Sequence, residues 1–233
     1  MKIFNKGFNF NQDGPGNRLV YHLSGCNMHC IWCSNPEGID GKVGKDYNEQ
    51  QIIDECVSCK PMFFSGGGVT FTGGEATLQY RELKTVLMDL KNKGIHTCIE
   101  TNAQSDKLID LSPFIDYLIM DFKHYDGEKL KEFTGLDTSK VKENFSYLSS
   151  TRSQLHVRIP LINGFNAENP SGFTEFFTLH DTKNVVFEFL PYHEYGKDKW
   201  KTEYKVKNGF INKEIIKNFN EEFVKRGLKV VKT

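Results

Sequence analysis

Short apolar, β-branched and aromatic runs alternate with helical spacings along the whole chain. The runs at 18–24, 69–72, 96–100, 117–121, 155–161 and 185–190 read as strands. Between them, residues 49–63, 81–93, 107–111, 127–133, 139–150 and 170–180 carry helical patterns in whole or in part. A final helix at 213–225 precedes a small edge strand at 228–231. Strands that alternate with helices predict parallel βα units. Six such units are too few for a closed eight-stranded barrel, so the expected fold is α/β, an open or partial (β/α)6 barrel of parallel strands with outer helices. No internal repeat, low-complexity tract or linker divides the sequence, and residues 14–16 and 163–170 read as loops. One domain spanning 1–233 is expected.

Composition narrows the function classes. At 233 residues the chain can bury a substantial core, and its 30 basic and 30 acidic residues cancel. No long-range field therefore argues for nucleic acid or an anionic membrane surface. Lys197, Lys199, Lys201, Lys205 and Lys207 crowd the last third, but Glu194, Asp198 and Glu203 lie among them, so a solvated mixed surface is expected. No apolar run reaches membrane-spanning length and the amino terminus lacks the pattern of a signal peptide, which places the expectation in the cytosol. Six cysteines in a chain of this length do not form a disulfide scaffold.

Three of those cysteines form the sharpest motif, Cys26-Asn-Met-His-Cys30-Ile-Trp-Cys33. Soft thiolates select iron–sulfur clusters, zinc or copper(I), and three of them leave one iron of a four-iron cluster open. The plainer alternative is a zinc knuckle completed by His22, His29, Cys56 or Cys59. Cys56 and Cys59 fall near one helical face with Ile52, Ile53 and Phe63, which favours buried structural thiols, and Cys98 sits inside a strand. Chemical groups recur after almost every strand: Cys26 to Cys33, Gly73 to Glu75, Glu100 to Asn102, Asp121 with Lys123, and His193. In parallel βα folds the carboxyl edge carries the site. Alternation puts His96, Cys98 and Glu100 on one face, and Ile119, Asp121 and Lys123 on one face if that strand continues so far. Arg158 shares a face with His156 and is placed to pair with Glu188 of the next strand.

The cysteine loop, with Trp32 before its last cysteine, resembles that of radical S-adenosylmethionine (SAM) enzymes. The blocks Gly14-Pro-Gly-Asn-Arg18, Cys33-Ser-Asn-Pro-Glu37, Ser65-Gly-Gly-Gly-Val-Thr-Phe-Thr-Gly-Gly-Glu-Ala76, Ile95-His-Thr-Cys98, Thr101-Asn102, Asp121-Phe-Lys123 and Leu190-Pro-Tyr-His-Glu-Tyr-Gly-Lys197 extend the likeness to the glycyl-radical-enzyme activating enzymes. The resemblance implies that Cys26, Cys30 and Cys33 hold a [4Fe–4S] cluster whose open iron is chelated by SAM. It implies Trp32 beside the SAM adenine and Thr72, Gly73, Gly74 and Glu75 at its amino group. It places Lys123 on the SAM carboxylate, His193 beside SAM, and Asn102 in the segment near it. Arg158 either meets the SAM carboxylate or stays with Glu188. Glu100 and Asp121 are implied as ligands of a monovalent cation, although close relatives often carry Asp at the Glu100 position. No side chain is assigned a catalytic step, because the radical forms on SAM.

The implied reaction is reductive cleavage of SAM to methionine and a 5′-deoxyadenosyl radical, which takes a hydrogen from a glycine of a partner glycyl radical enzyme. The mid-chain blocks favour pyruvate formate-lyase as that partner, while Ser34-Asn-Pro-Glu37 is commoner among activators of other glycyl radical enzymes; a flavodoxin or ferredoxin-type reductant is implied. Many such activators carry a ferredoxin-like insert, but only 32 residues and two cysteines lie between Cys33 and Gly66, so no insert is expected. Rival readings are an activator of anaerobic ribonucleotide reductase, a radical SAM enzyme on a small molecule, and a zinc-binding or electron-transfer protein.

Overall fold

A computed structural model describes residues 1–231, which fall into two compact units. The first comprises Met1–Asn27 and Glu37–Ile119; the second comprises Met28–Pro36 and the chain from Met120.

In the first unit, β1 (Lys2–Phe10), β2 (Asn17–Leu23), β3 (Lys45–Asp46), β4 (Gly68–Gly73) and β5 (Thr97–Thr101) are ordered β3-β1-β2-β4-β5. β2, β4 and β5 run parallel, with Arg18 opposite Gly68 and Val69 opposite Thr97, while β1 is antiparallel to both β2 and β3. The expected strands at 18–24, 69–72 and 96–100 are present within a residue or so. The antiparallel flank is not among the expected elements. Helix α1 (Glu49–Ser58) starts on a capping box: Asn48 Oδ1 accepts from Gln51 N and Gln51 Oε1 accepts from Asn48 N, each at 2.9 Å. It buries Ile52, Ile53 and Cys56, and α2 (Tyr80–Asn92) buries Leu83, Val86, Leu87 and Leu90, the spacing of one helical face. The helical pattern at 49–63 breaks after Ser58 because Pro61 follows, leaving a short 3₁₀ turn at Lys60–Met62. A single turn, α3 (Leu108–Leu111), precedes β6 (Tyr117–Asp121), whose last two residues belong to the second unit.

Two of the glycine-bearing blocks close the amino-terminal ends of β2, β4 and β5. Gly16 has φ +72°, and a Cβ there would lie 2.4 Å from Gly67 N; a Cβ on Gly68 would lie 2.0 Å from His96 O. Arg18, fully buried, donates from Nε to Thr70 Oγ1 at 2.7 Å, from Nη1 to Pro15 O at 3.1 Å and from Nη2 to Val69 O at 2.7 Å.

The second unit carries α4 (Gly127–Thr134), α5 (Ser139–Thr151), β7 (Leu155–Leu161), α6 (Pro170–Phe177), β8 (Val185–Pro191), α7 (Lys213–Lys225) and β9 (Lys229–Val230). β7, β8 and β9 are parallel, Arg158 standing opposite Glu188. Its core is built of phenylalanines: Phe177 meets Phe187 at 4.6 Å and Phe122 at 4.8 Å, and Phe189 meets Phe223 edge-on at 4.8 Å. No helix among the described residues is long and apolar enough to cross a membrane.

Candidate active site

In the first unit the candidate groups gather where β2, β4 and β5 end. Past β2, Cys26 N donates to Ile39 O at 3.0 Å and Gly25 N to Gly38 O at 2.7 Å, fixing the approach to the first cysteine. The Gly73-Gly74 turn lies directly on that approach. Gly73 has φ +116°, and a Cβ on Gly74 would stand 2.0 Å from Gly25 O. Gly74 N donates to Leu23 O at 2.8 Å and Glu75 N to Gly25 O at 2.7 Å. These glycines therefore serve close backbone contact with the stretch leading into Cys26.

Glu75 differs from the expectation of a carboxylate open to a ligand amine. Its side chain is fully buried, and Oε1 accepts from Thr77 N at 3.0 Å, Thr77 Oγ1 at 2.6 Å and Thr101 Oγ1 at 2.7 Å. Oε2 accepts from Asn102 N at 2.8 Å. Four donors satisfy the buried charge and tie the turn after β4 to the end of β5. Asn102 in turn donates from Nδ2 to Asn27 Oδ1 at 2.8 Å and towards Cys26 Sγ at 3.8 Å. Thr72 Oγ1 donates to Glu100 Oε2 at 3.0 Å. Cys98 is buried in β5, and Cys56 is buried against Tyr21, where loss of solvent pushes its thiol up to about 12. Burial of this kind favours the protonated, unreactive thiol.

In the second unit the residues on either side of Cys30 rest on the end of α4. His29 N donates to Thr134 O at 2.8 Å and Ile31 N to Phe133 O at 3.3 Å, taking up carbonyls that a helix terminus leaves open. Trp32 packs on Phe165 at 4.6 Å and beside Phe133 at 6.4 Å, along a cavity of about 140 Å³ also lined by Ile162 and Asn163. Asn35 N donates to Cys33 Sγ at 3.4 Å. Asp121 ends β6, so Lys123 lies beyond the strand, yet the two pair at 2.5 Å. Arg158 Nε meets Glu188 Oε2 at 2.7 Å and His156 Nε2 meets the same oxygen at 3.1 Å. His156 beside it and the charge of Arg158 hold Glu188 at about 2 against the opposing push of burial. His193 is exposed after β8 and stacks on Tyr195 at 4.3 Å, in a cleft of about 640 Å³ that also takes in Tyr192 and Phe210.

Asn27, Thr101, Lys199 and Trp200 also touch these segments but receive no role from the sequence, although Asn27 and Thr101 lie inside the quoted blocks and Lys199 in the lysine crowding.

No group of three or more Cys, His, Asp or Glu side chains forms a ready metal cage among the described residues. The fit of an iron–sulfur cluster rests on the donor chemistry. The motif supplies three soft thiolates, and Cys26 and Cys33 each receive an N–H, a donor suited to a sulfur that carries charge.

Residues 20–177 match the Radical SAM superfamily. The chain is 34% identical, over 81% of its length and 79% of the relative's, to pyruvate formate-lyase 1-activating enzyme of Escherichia coli strain K12. It is 29% identical, over 93% and 90%, to 4-hydroxyphenylacetate decarboxylase activating enzyme of Clostridioides difficile strain CD196. A structure of Streptococcus suis SuiB bound to S-adenosylmethionine aligns with a TM-score of 0.71 at 15% identity, covering 91% of this chain and 49% of that one. Matches of this extent, joined to parallel βα units with their candidate groups at the strand ends, establish the fold class expected from the sequence. The chain is an enzyme of the radical SAM superfamily, in the family of the pyruvate formate-lyase activating enzymes, and its cofactors are the superfamily's [4Fe–4S] cluster and S-adenosylmethionine.

Proposed function

We propose that the chain activates a glycyl radical enzyme, with pyruvate formate-lyase as the favoured partner. The observation that carries this is the breadth of the match: relatives named for two different partners share the activating role and align over 81% and 93% of the chain. When bound, the cluster supplies the electron that cleaves SAM to methionine and a 5′-deoxyadenosyl radical, the species that takes a hydrogen from the partner's glycine.

The residues divide the remaining work. Cys26, Cys30 and Cys33 ligate the cluster. Asn102 and the Asn35 amide direct N–H groups to two of their sulfurs. The turn from Thr72 to Glu75 receives the SAM amino group, with Glu75 bracing that turn. Lys123, steadied by Asp121, addresses the SAM carboxylate, and Glu188 fixes the direction of Arg158 for the same group. Trp32, in its aromatic cavity, and His193 flank the nucleoside. Glu100 and Asp121 offer hard oxygens to a monovalent cation. A flavodoxin or ferredoxin-type protein delivers the electron, and the cytoplasm is the setting.

The test is anaerobic reconstitution with iron and sulfide, reduction by dithionite, and addition of SAM with a candidate pyruvate formate-lyase. Expected are cluster-dependent 5′-deoxyadenosine and the electron paramagnetic resonance doublet of a glycyl radical on the partner. 5′-Deoxyadenosine without a glycyl radical on any candidate partner sinks the activating role.

A further inference from the structure

Residues 192–204 follow β8 and run back across the segment that holds the third cysteine of the motif. Trp200 Nε1 donates to Cys33 O at 3.1 Å, across a sequence separation of 167. Lys199 Nζ donates to Ser34 O at 3.0 Å and to Asn35 Oδ1 at 3.1 Å. Gly196 completes the contact, since a Cβ there would lie 2.4 Å from Ser34 Cα. Three consecutive residues are thus gripped from one short stretch, in which Lys197–Lys199 forms a 3₁₀ turn. The grip has its own anchor. Trp200 packs edge-on against Tyr204 at 5.8 Å, and Tyr204 shares its hydroxyl with Tyr192 at 2.8 Å, next to the end of β8.

The carbonyls of Cys33 and Ser34 are taken by Trp200 and Lys199, so the turn at 33–35 cannot rotate without losing these bonds. That rotation is what would withdraw the Asn35 N–H from Cys33 Sγ, where it stands at 3.4 Å. A hydrogen bond to a cluster sulfur stabilises its negative charge and is one of the protein's means of setting reduction potential. We propose that Lys199 and Trp200 are positioning residues for the cluster: they clasp residues 33–35 so that the Asn35 amide stays on the Cys33 sulfur, raising the cluster's potential and slowing its loss. The proposal rests on Cys33 being a cluster ligand.

Two of the four contacts come from an exposed lysine, whose replacement leaves the core untouched. The experiment compares reconstituted wild type with Lys199→Met, Lys199→Arg, Trp200→Phe, Cys33→Ala and, as a control, Lys201→Met. Iron content, midpoint potential and the anaerobic rate of iron loss to a chelator are read for each. Cys33→Ala is expected to fail to hold a cluster. Lys199→Met and Trp200→Phe are expected to assemble one with a more negative potential and at least threefold faster iron loss, with Lys199→Arg and Lys201→Met matching wild type. Trp200→Phe removes no charge, so its shift separates the hydrogen-bond clasp from a plain Coulomb effect of the lysine. If Trp200→Phe does not fold, Lys199→Gln, neutral but still a donor, carries the comparison: wild-type potential there supports the clasp, and the shift of Lys199→Met there points to charge alone and overturns it. Wild-type potential and iron loss in Lys199→Met and Trp200→Phe, with the cluster lost in Cys33→Ala, overturn the clasp and leave the ligand reading intact. A full cluster in Cys33→Ala overturns both.

Discussion

A buried carboxylate and a half-buried one show how far a single residue's role depends on its partners. Glu75 and Glu188 both follow from strand sequences that sequence reading flagged, yet one is satisfied by neutral donors and the other pairs with the Arg158 guanidinium, with His156 beside it. Glu75 acts as a brace between loops. Glu188 acts through charge, and charge is open to titration. Its ordinary value of 4.5 falls to about 2 in the folded chain. A depressed carboxylate contributes stability above its unfolded pKa and loses it as pH falls through the folded one. The contribution should therefore be full above 4.5 and fade towards 2, and the shift corresponds to an order of magnitude of about 3 kcal/mol. Urea unfolding of the cluster-free protein and of Glu188→Gln checks this. The stability gap between them should be flat at neutral pH and narrow across that acid window. A gap that does not change with pH removes the ion cluster as its source.

At the scale of elements, periodicity was informative wherever one face is buried. β6, β7 and α7 begin and end where the alternation and the 3.6-residue spacing put them. β1 escaped because its pattern carries little burial: Phe8 and Phe10 remain 44% and 52% exposed, so apolar residues there do not mark a core face. The cysteine motif was legible because its residues are adjacent in sequence. The bonds of Glu75 to Thr101 and Asn102, and of Trp200 to Cys33, join positions that no local pattern connects, so only the fold reveals them.

The Gly73-Gly74 turn is where element and site meet. A Cβ on Gly74 would press to 2.0 Å from Gly25 O, backbone against backbone, with no flexible side chain to yield. Gly74→Ala should cost about 3 kcal/mol by urea unfolding, the upper end of overpacking penalties, and should lower the iron retained after reconstitution because the approach to Cys26 is pushed aside. Gly66 offers the contrast. It has φ +79° with nothing within 4 Å, so Gly66→Ala should cost only about 1 kcal/mol and leave iron content unchanged. Equal losses in the two variants would show that the close approach of Gly74 to Gly25 O carries no cost of its own.

Across the molecule, sequence blocks of similar appearance divide by which end of the strands they serve. The candidate chemistry follows the carboxyl ends of β2, β4, β5, β6 and β8. The blocks around Gly16 and Gly67, equally rich in glycine, sit at the amino ends of β2 and β4 around Arg18. Parallel βα folds place chemistry at the first end and stability at the second. Arg18 tests that division. Burial lowers its pKa, and its guanidinium is satisfied by the carbonyls of Pro15 and Val69, the Thr70 hydroxyl and His96. Methionine at this position relieves the buried charge but strands those acceptors, each costing roughly 1–3 kcal/mol when left unpaired. Arg18→Met should therefore lower the unfolding free energy of the cluster-free protein by about 3 kcal/mol. The folded variant should still take up a full complement of iron and cleave SAM at a near wild-type rate, because nothing at the carboxyl ends has moved. Cys26→Ala should do the reverse, losing iron and SAM cleavage while the cluster-free protein unfolds as wild type does. If Arg18→Met keeps its stability but loses SAM cleavage, the amino-terminal edge is part of the site and the division fails.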